Sequence, residues 1–360
     1  MDSGERPLTA IVAVPRGLVM IVLTVLLGCT QSTDDQSDSD SLEVCVSTPD
    51  VKSLVETIAG DRATVHCFVQ GPQDPHQVDI RPSHVRIMER AGLWIQVGKG
   101  VEAAWYPNLT AQLRNTQVKP GGERFLDLSS KIRPVEAPDE HHSGPDTHDG
   151  LHPEGNPHYL LNPVEGIKAA KAIADKLADI LPEHRNEFQE RWREFNGRVG
   201  EKLVGKLLND KQDAVEIARL FADGELDEFL KSNGESAKLE GWLGALQPHF
   251  GAEIVGDHDL WPYFCHQAGL SVLGYLEPEP GIASTTKHLN GIVAEMRTRQ
   301  VKILLTAPFF DARLVAFVTE RTGARALPMA HQTGARPGTE DYLTMVDYNM
   351  NQVLGALQNP

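Results

Sequence analysis

Short apolar runs alternate along this chain with stretches of helical spacing, and that alternation is its main structural signal. Early on, the run 43–47 (EVCVS), a helical stretch near 50–59 and the run 64–69 (TVHCFV) precede a helix near 83–91 and the run 93–97 (LWIQV). Strands separated by helical stretches predict βαβ units and a parallel sheet. The pattern returns late in the chain, with strands at 252–255, 271–275, 301–305 and 324–327 and helices at 287–298 and 311–321. Between the two sets the signal is helical. Asn162-Pro163-Val164-Glu165 supplies an N-cap, a proline at the first helical position and an acidic first turn. Val164, Ile167, Ala174, Leu177 and Leu181 then mark one apolar stripe, which Pro182 interrupts. A second helix at about 183–207 carries Phe188, Trp192, Phe195, Val199 and Leu203, and a further helical region covers about 211–246.

The expected fold class is α/β: two lobes, each a parallel β-sheet flanked by helices, joined by one long rigid connecting helix. The N-terminal lobe spans 43–181, the connecting helix 182–207 and the C-terminal lobe 208–360. Within the first lobe, 134–157 is a loop rich in Pro, Gly, Asp and His, without periodicity.

The first residues read as a targeting segment rather than fold. An apolar run, 17–28, follows Arg16 and ends at Cys29; it is too short to span a bilayer comfortably and fits a signal-peptide core. Leu26-Leu27-Gly28-Cys29 resembles the bacterial lipoprotein box, which makes 1–28 a signal peptide and Cys29 the lipidated residue. The polar, acidic stretch that follows has too few apolar residues to fold, so 29–42 is read as a tether. An exported lipoprotein, held at a membrane and facing the periplasm or cell exterior, is the expectation. The net charge of -16 removes nucleic acid as a partner, since that needs a basic surface. Cys45 and Cys67 fall on strands expected to be parallel neighbours; a disulfide and two free thiols both remain open.

Histidine placement carries the chemistry. His76, His158, His258 and His331 each lie after an extended run and before a helix start. Ligands of α/β sheets collect at the carboxyl ends of strands, so convergence of these imidazoles on one ion predicts a zinc site. Asp74, Asp257 and Asp259 adjoin them as candidate acceptors that fix imidazole tautomers. His141, His142, His148 and His152 stand among acidic residues in the 134–157 loop. His66, His84, His249, His266 and His288 have no comparable setting and read as structural or surface residues.

Several stretches resemble one family: Gly71-Pro72-Gln73-Asp74-Pro75-His76 with Arg81-Pro82-Ser83, and Asn156 to Pro163. Asp257-His258-Asp259 with Tyr263-Phe264, and Asp341-Tyr342-Leu343 with Tyr348-Asn349, follow in the same order. Together with the lipoprotein box they resemble the zinc/manganese solute-binding lipoproteins that feed bacterial ABC metal importers, over about residues 43–357. The resemblance implies metal ligands at His76, His158 and His258. A fourth family ligand, often an aspartate in the last loop, falls near His331, where the local sequence departs from the usual pattern. It further implies that the loop histidines are an accessory metal collector, that Zn2+ is the transported ligand, and that an ABC permease is the partner of a monomer with no enzymatic activity. Imidazole donors favour zinc over manganese, which prefers oxygen. Three other readings remain: a manganese or other divalent-metal binding protein, a surface adhesin, and a periplasmic zinc hydrolase. The last lacks an HExxH motif and an obvious general base.

Overall fold

The computed structural model describes residues 41–132, 155–233, 239–278 and 282–358. Cys29, the expected signal peptide, most of the tether and the loop histidines His141, His142, His148 and His152 lie outside the described residues.

The first sheet is built from β1 (Leu42–Val46), β2 (Ala63–Cys67), β3 (Leu93–Gln96) and β4 (Phe125–Asp127), all parallel, in the order β2-β1-β3-β4. The helices α1 (Pro49–Ala59), α2 (Pro82–Arg90) and α3 (Tyr106–Thr110) fill its crossovers. A helical layer follows: α4 (Pro163–Ile180), α5 (Arg185–Val204), α6 (Lys206–Asn209), α7 (Ala214–Ala222), α8 (Leu226–Asn233) and α9 (Gly241–Leu246). The second sheet repeats the first. Its strands are β5 (Glu253–Gly256), β6 (Ser271–Tyr275), β7 (Ile303–Thr306) and β8 (Arg325–Pro328), in the order β6-β5-β7-β8 and again parallel. Helices α10 (Pro262–Ala268), α11 (Thr286–Arg299) and α12 (Ala312–Thr322) connect them, and α13 (Tyr342–Gln358) ends the chain. Among the described residues no helix is long and apolar enough to cross a membrane.

Alternation along the strands sorts the core into three parts. Val44, Val46, Leu93 and Ile95 of the first sheet share one apolar cluster with Ile254, Ile303, Leu305 and Leu327 of the second, through α1, α4, α5, α7, α9, α10 and α13. The intervening residues point outward. Cys45 and Trp94 pack with Met88 of α2, while Val255 and Leu304 pack with Leu289, Met296 and Val318 of α11 and α12. The two lobes are therefore continuous through their inner faces.

The same alternation decides the cysteines. Val46 is in register with Cys67, and Cys45 with His66. Cys67 lines the inner cluster and Cys45 the outer one, so their side chains leave opposite faces of the sheet. Cys45, Cys67 and Cys265 are free thiols.

The stretch read as one helix over 183–207 is divided. A single 3-10 turn occupies Pro182–His184, α5 covers Arg185–Val204, and Gly205 adopts a positive φ of 82° before α6. That φ ends the helix, and a side chain at Gly205 would be strained by it and would meet Glu240. At 20 residues, α5 is about 30 Å long. It packs along α4 and α1, with Phe188, Phe195, Val199 and Leu203 buried.

Candidate metal centre

Each sequence-selected histidine is held by a turn at the carboxyl side of its sheet. After β2, the Asp74 carboxylate accepts the His76 backbone N–H at 2.9 Å and the Gln77 side-chain amide at 3.1 Å, fixing a tight turn. The Trp105 indole supports that turn from below by donating to the Pro75 carbonyl at 3.1 Å. The ring of His76 is hydrogen-bonded by the Val101 backbone, and burial pushes its pKa below the ordinary histidine value against the opposing pull of Asp74.

His158 begins a 3-10 turn that leads into the Asn162 cap of α4. Asn156 works in two directions. Its carbonyl accepts the His158 N–H at 2.9 Å, and its amide donates to the Asp259 main-chain carbonyl at 2.8 Å and carboxylate at 3.0 Å. One side chain thus ties the His158 turn to the His258 turn across the lobe boundary.

His258 follows β5, next to the point where strand order reverses between β5 and β7. In open α/β sheets the ligand crevice forms at such a point. Asp257 is fully buried and accepts from His258 N at 2.7 Å, from Trp261 Nε1 at 2.8 Å and from Ala307 N at the end of β7. Desolvation raises its pKa to about 6 despite those donors. The Glu277 carboxylate, at the end of β6, lies 3.7 Å from His258 Nδ1.

His331 follows β8 and is 5% exposed. Its Nε2–H donates to the Gln73 carbonyl at 3.0 Å, which leaves Nδ1 buried and without a hydrogen-bond partner. Burial lowers its pKa to about 4. The residues after it are sewn to the first lobe. The Gln332 amide reaches the carbonyls of Gln70, Gly71 and Gln73 at 3.2, 2.9 and 2.9 Å. Thr333 donates its N–H and its hydroxyl to Asp50 of α1 at 2.7 and 2.6 Å. Gly71 and Gly334 meet backbone to backbone, with no room for a side chain at Gly71.

Ring positions show which of these residues come together. The centroids of His76 and His158 are 5.4 Å apart, and those of His158 and His258 are 6.1 Å apart. Two imidazoles on one tetrahedral zinc, with Zn–N about 2.0–2.1 Å, hold their centres roughly 5 Å apart. The first pair is close to that spacing and the second is slightly open. The Phe309 ring touches both remaining neighbours, at 5.9 Å from His258 and 4.9 Å from His331. Among the described residues no three His, Cys, Asp or Glu side chains are drawn into a closed coordination shell.

The expected roles of the acidic neighbours change. Asp74 and Asp257 accept main-chain N–H groups of the turns rather than fixing the imidazole rings. The Val101 backbone bonds the His76 ring and the Gln73 carbonyl the His331 ring, and Glu277 lies near His258. Gln332, Glu277 and Phe309 are not among the residues the sequence singles out, which are the histidines and the aspartates beside them. Their signal was position, since Glu277 and Phe309 each follow the end of a late strand and Gln332 adjoins His331. His84 stacks on Phe68 at 4.8 Å, and His288 bonds the Tyr275 carbonyl, consistent with structural roles.

Similarity to known proteins agrees with this architecture. The manganese ABC transporter substrate-binding lipoprotein PsaA of Streptococcus mitis is 21% identical over 349 residues, covering 94% of this chain and 97% of that protein. The high-affinity zinc uptake system protein ZnuA of Yersinia pestis is 24% identical over 261 residues, covering 70% and 71%. A crystal structure of ZnuA superposes with a TM-score of 0.62 at 18% identity, covering 89% of this chain and 99% of that one. A family model described as zinc-uptake complex component A, periplasmic, matches residues 44–203 and 235–356. The chain belongs to that ZnuA family of substrate-binding proteins of metal ABC importers, a solute-binding family and not an enzyme family.

Proposed function

We propose that the protein captures Zn2+ outside the cytoplasm and hands it to an ABC permease, with His76, His158, His258 and His331 as the ligands of the transported ion. One observation carries the reading. The Nε2–H of His331 is committed to a backbone carbonyl while its buried Nδ1 has no hydrogen-bond partner. A ligating histidine is ordinarily held in this way, one ring nitrogen on a carbonyl and the other presented to the metal. The ring spacing of His76, His158 and His258 supports the same centre. Binding would draw the slightly open pair inward, closing the shell and stiffening both turns.

Four nitrogen donors suit zinc, whereas manganese prefers oxygen. A manganese reading is supported by Glu277, an oxygen donor 3.7 Å from His258 Nδ1, and by relatives named as manganese ABC transporter substrate-binding lipoproteins. Lipidation at Cys29 would hold the protein at the membrane, and His141, His142, His148 and His152 would act as a low-affinity collector. The deciding experiment is native mass spectrometry on metal-stripped protein from Thr30 onward, titrated with zinc and manganese against a chelator. One tightly held zinc with little manganese upholds the zinc reading. Preferential manganese retention would transfer the site to the second reading, and no stoichiometric metal would overturn both.

A further inference from the structure

We propose that Phe309 is an aromatic gate on the metal centre, a side chain that binds no ion but sets how fast one enters and leaves. The inference rests on the metal-capture reading above and adds a residue outside the donor set. Phe309 lies in the turn Pro308-Phe309-Phe310 between β7 and α12. Its neighbour Phe310 packs into the outer core of the second sheet, whereas Phe309 turns the other way and is only partly buried. The Phe309 ring stands edge-on to His331, with planes 87° apart, and tilted against His258 at 55°.

The supports on either side differ in kind. His331 is fixed to the first lobe through Gln73, and its chain neighbours are fixed there through Gln70, Gly71 and Asp50. His258 and the Phe309 turn share another anchor, Asp257, which takes the N–H groups of His258 and Ala307. Phe309 therefore reaches from the β5–β7 switch point to a ligand held by the opposite lobe. For an ion to pass to His258 and His331, the ring that contacts both swings toward solvent and returns once the ion is through, so its contacts are the same before and after binding; its partial exposure leaves that path open. An apolar ring at this place also keeps water from the imidazoles, and such a shell controls solvent access to a metal.

A gate has a kinetic signature that a ligand lacks: it changes both rates by one factor and leaves their ratio alone. An edge-to-face ring contact corresponds to a factor of roughly 2–10 in equilibrium. Removing both contacts should therefore speed entry and exit about tenfold. The test is stopped-flow zinc exchange with a fluorescent chelator on the chain from Thr30 onward, comparing wild type, Phe309→Ala and Phe309→Tyr. We expect both rates to rise about tenfold in Phe309→Ala with Kd nearly constant, and Phe309→Tyr, which keeps the ring, to behave as wild type. Unchanged rates in Phe309→Ala overturn the gate, as does a faster exit alone with Kd weakened in proportion. A wild-type protein that takes up no zinc overturns the capture reading itself, which separates the two failures.

Discussion

Replacing Glu102 by glutamine should remove a pH dependence that burial builds into the floor of the first lobe. The Glu102 carboxylate is buried and accepts the N–H groups of Val97 and Gly98 at 2.9 and 3.0 Å. It thereby closes the loop whose Val101 backbone meets the His76 ring. Those donors favour the ionised form, but desolvation outweighs them and raises the pKa from 4.5 to about 7. With one pKa unit equal to about 1.4 kcal/mol, the rise corresponds to roughly 3 kcal/mol. The sign follows from proton affinity. The folded state holds the proton more tightly than the unfolded chain, so this stabilisation is complete below about pH 4.5 and is lost as pH rises through about 7. Glutamine has no proton to lose, but its NH2 must face one of the two backbone donors, a cost of about 1–2 kcal/mol. Wild type should therefore be the more stable protein at pH 4.5 and the less stable one at pH 8. Urea unfolding of both proteins across that range measures the difference directly. Parallel stability profiles would refute the reasoning, because they would mean that Glu102 ionises alike in the folded and unfolded chain.

The remaining predictions concern the site and the seam. His158→Ala and His258→Ala should each weaken zinc binding about a hundredfold or more, since loss of a supporting group alone costs up to about that factor; chelator competition reads it. Gln332→Ala gives up the contacts to three carbonyls and should lower stability by about 2 kcal/mol in chemical denaturation. Gly71→Ala would put a Cβ 2.1 Å from the Gly334 carbonyl oxygen, so a loss of at least about 2 kcal/mol is expected. Gly291→Ala, in α11 with nothing within 4 Å, should instead be neutral or stabilising by up to about 1 kcal/mol. Thiol titration of unfolded protein prepared without reductant should find Cys45 and Cys67 free, because they leave opposite faces of the sheet.

The two βαβ sets and the α4 start are legible in the sequence, because short apolar strands buried on both faces and a proline-led, Asn-capped helix leave strong local marks. The strand Phe125–Asp127 is too short to show a period, and it forms because Trp94 to Gln96 offer it an edge. The α5 terminus is not legible because Gly197, Gly200 and Gly205 look alike in sequence, and of the three only Gly205 takes a positive φ. At the site, His76, His158 and His258 stood out through their turn residues, and their rings do approach one another. The groups that hold the His76 and His331 rings are backbone ones, of Val101 and Gln73, which no residue type advertises. Phe309 and Gln332 act through where the chain puts them, and their chemistry is ordinary.

The seam that holds His331 joins residues very distant in the chain. Thr333 meets Asp50 across 283 positions, and the Tyr342 N–H meets Ser53 Oγ across 289. Contacts of that separation carry a large loop-closure cost before they return any energy, and high contact order slows folding. The first lobe, although made first, packs α1 against α4 and α5 by itself, but Asp50 and Ser53 of α1 meet Thr333 and Tyr342 only when the chain's end arrives. A nascent or C-terminally truncated chain would leave the place of Tyr342, beside Phe195 and the Leu160 carbonyl, open to solvent, the surface on which a folding helper would have most to hold.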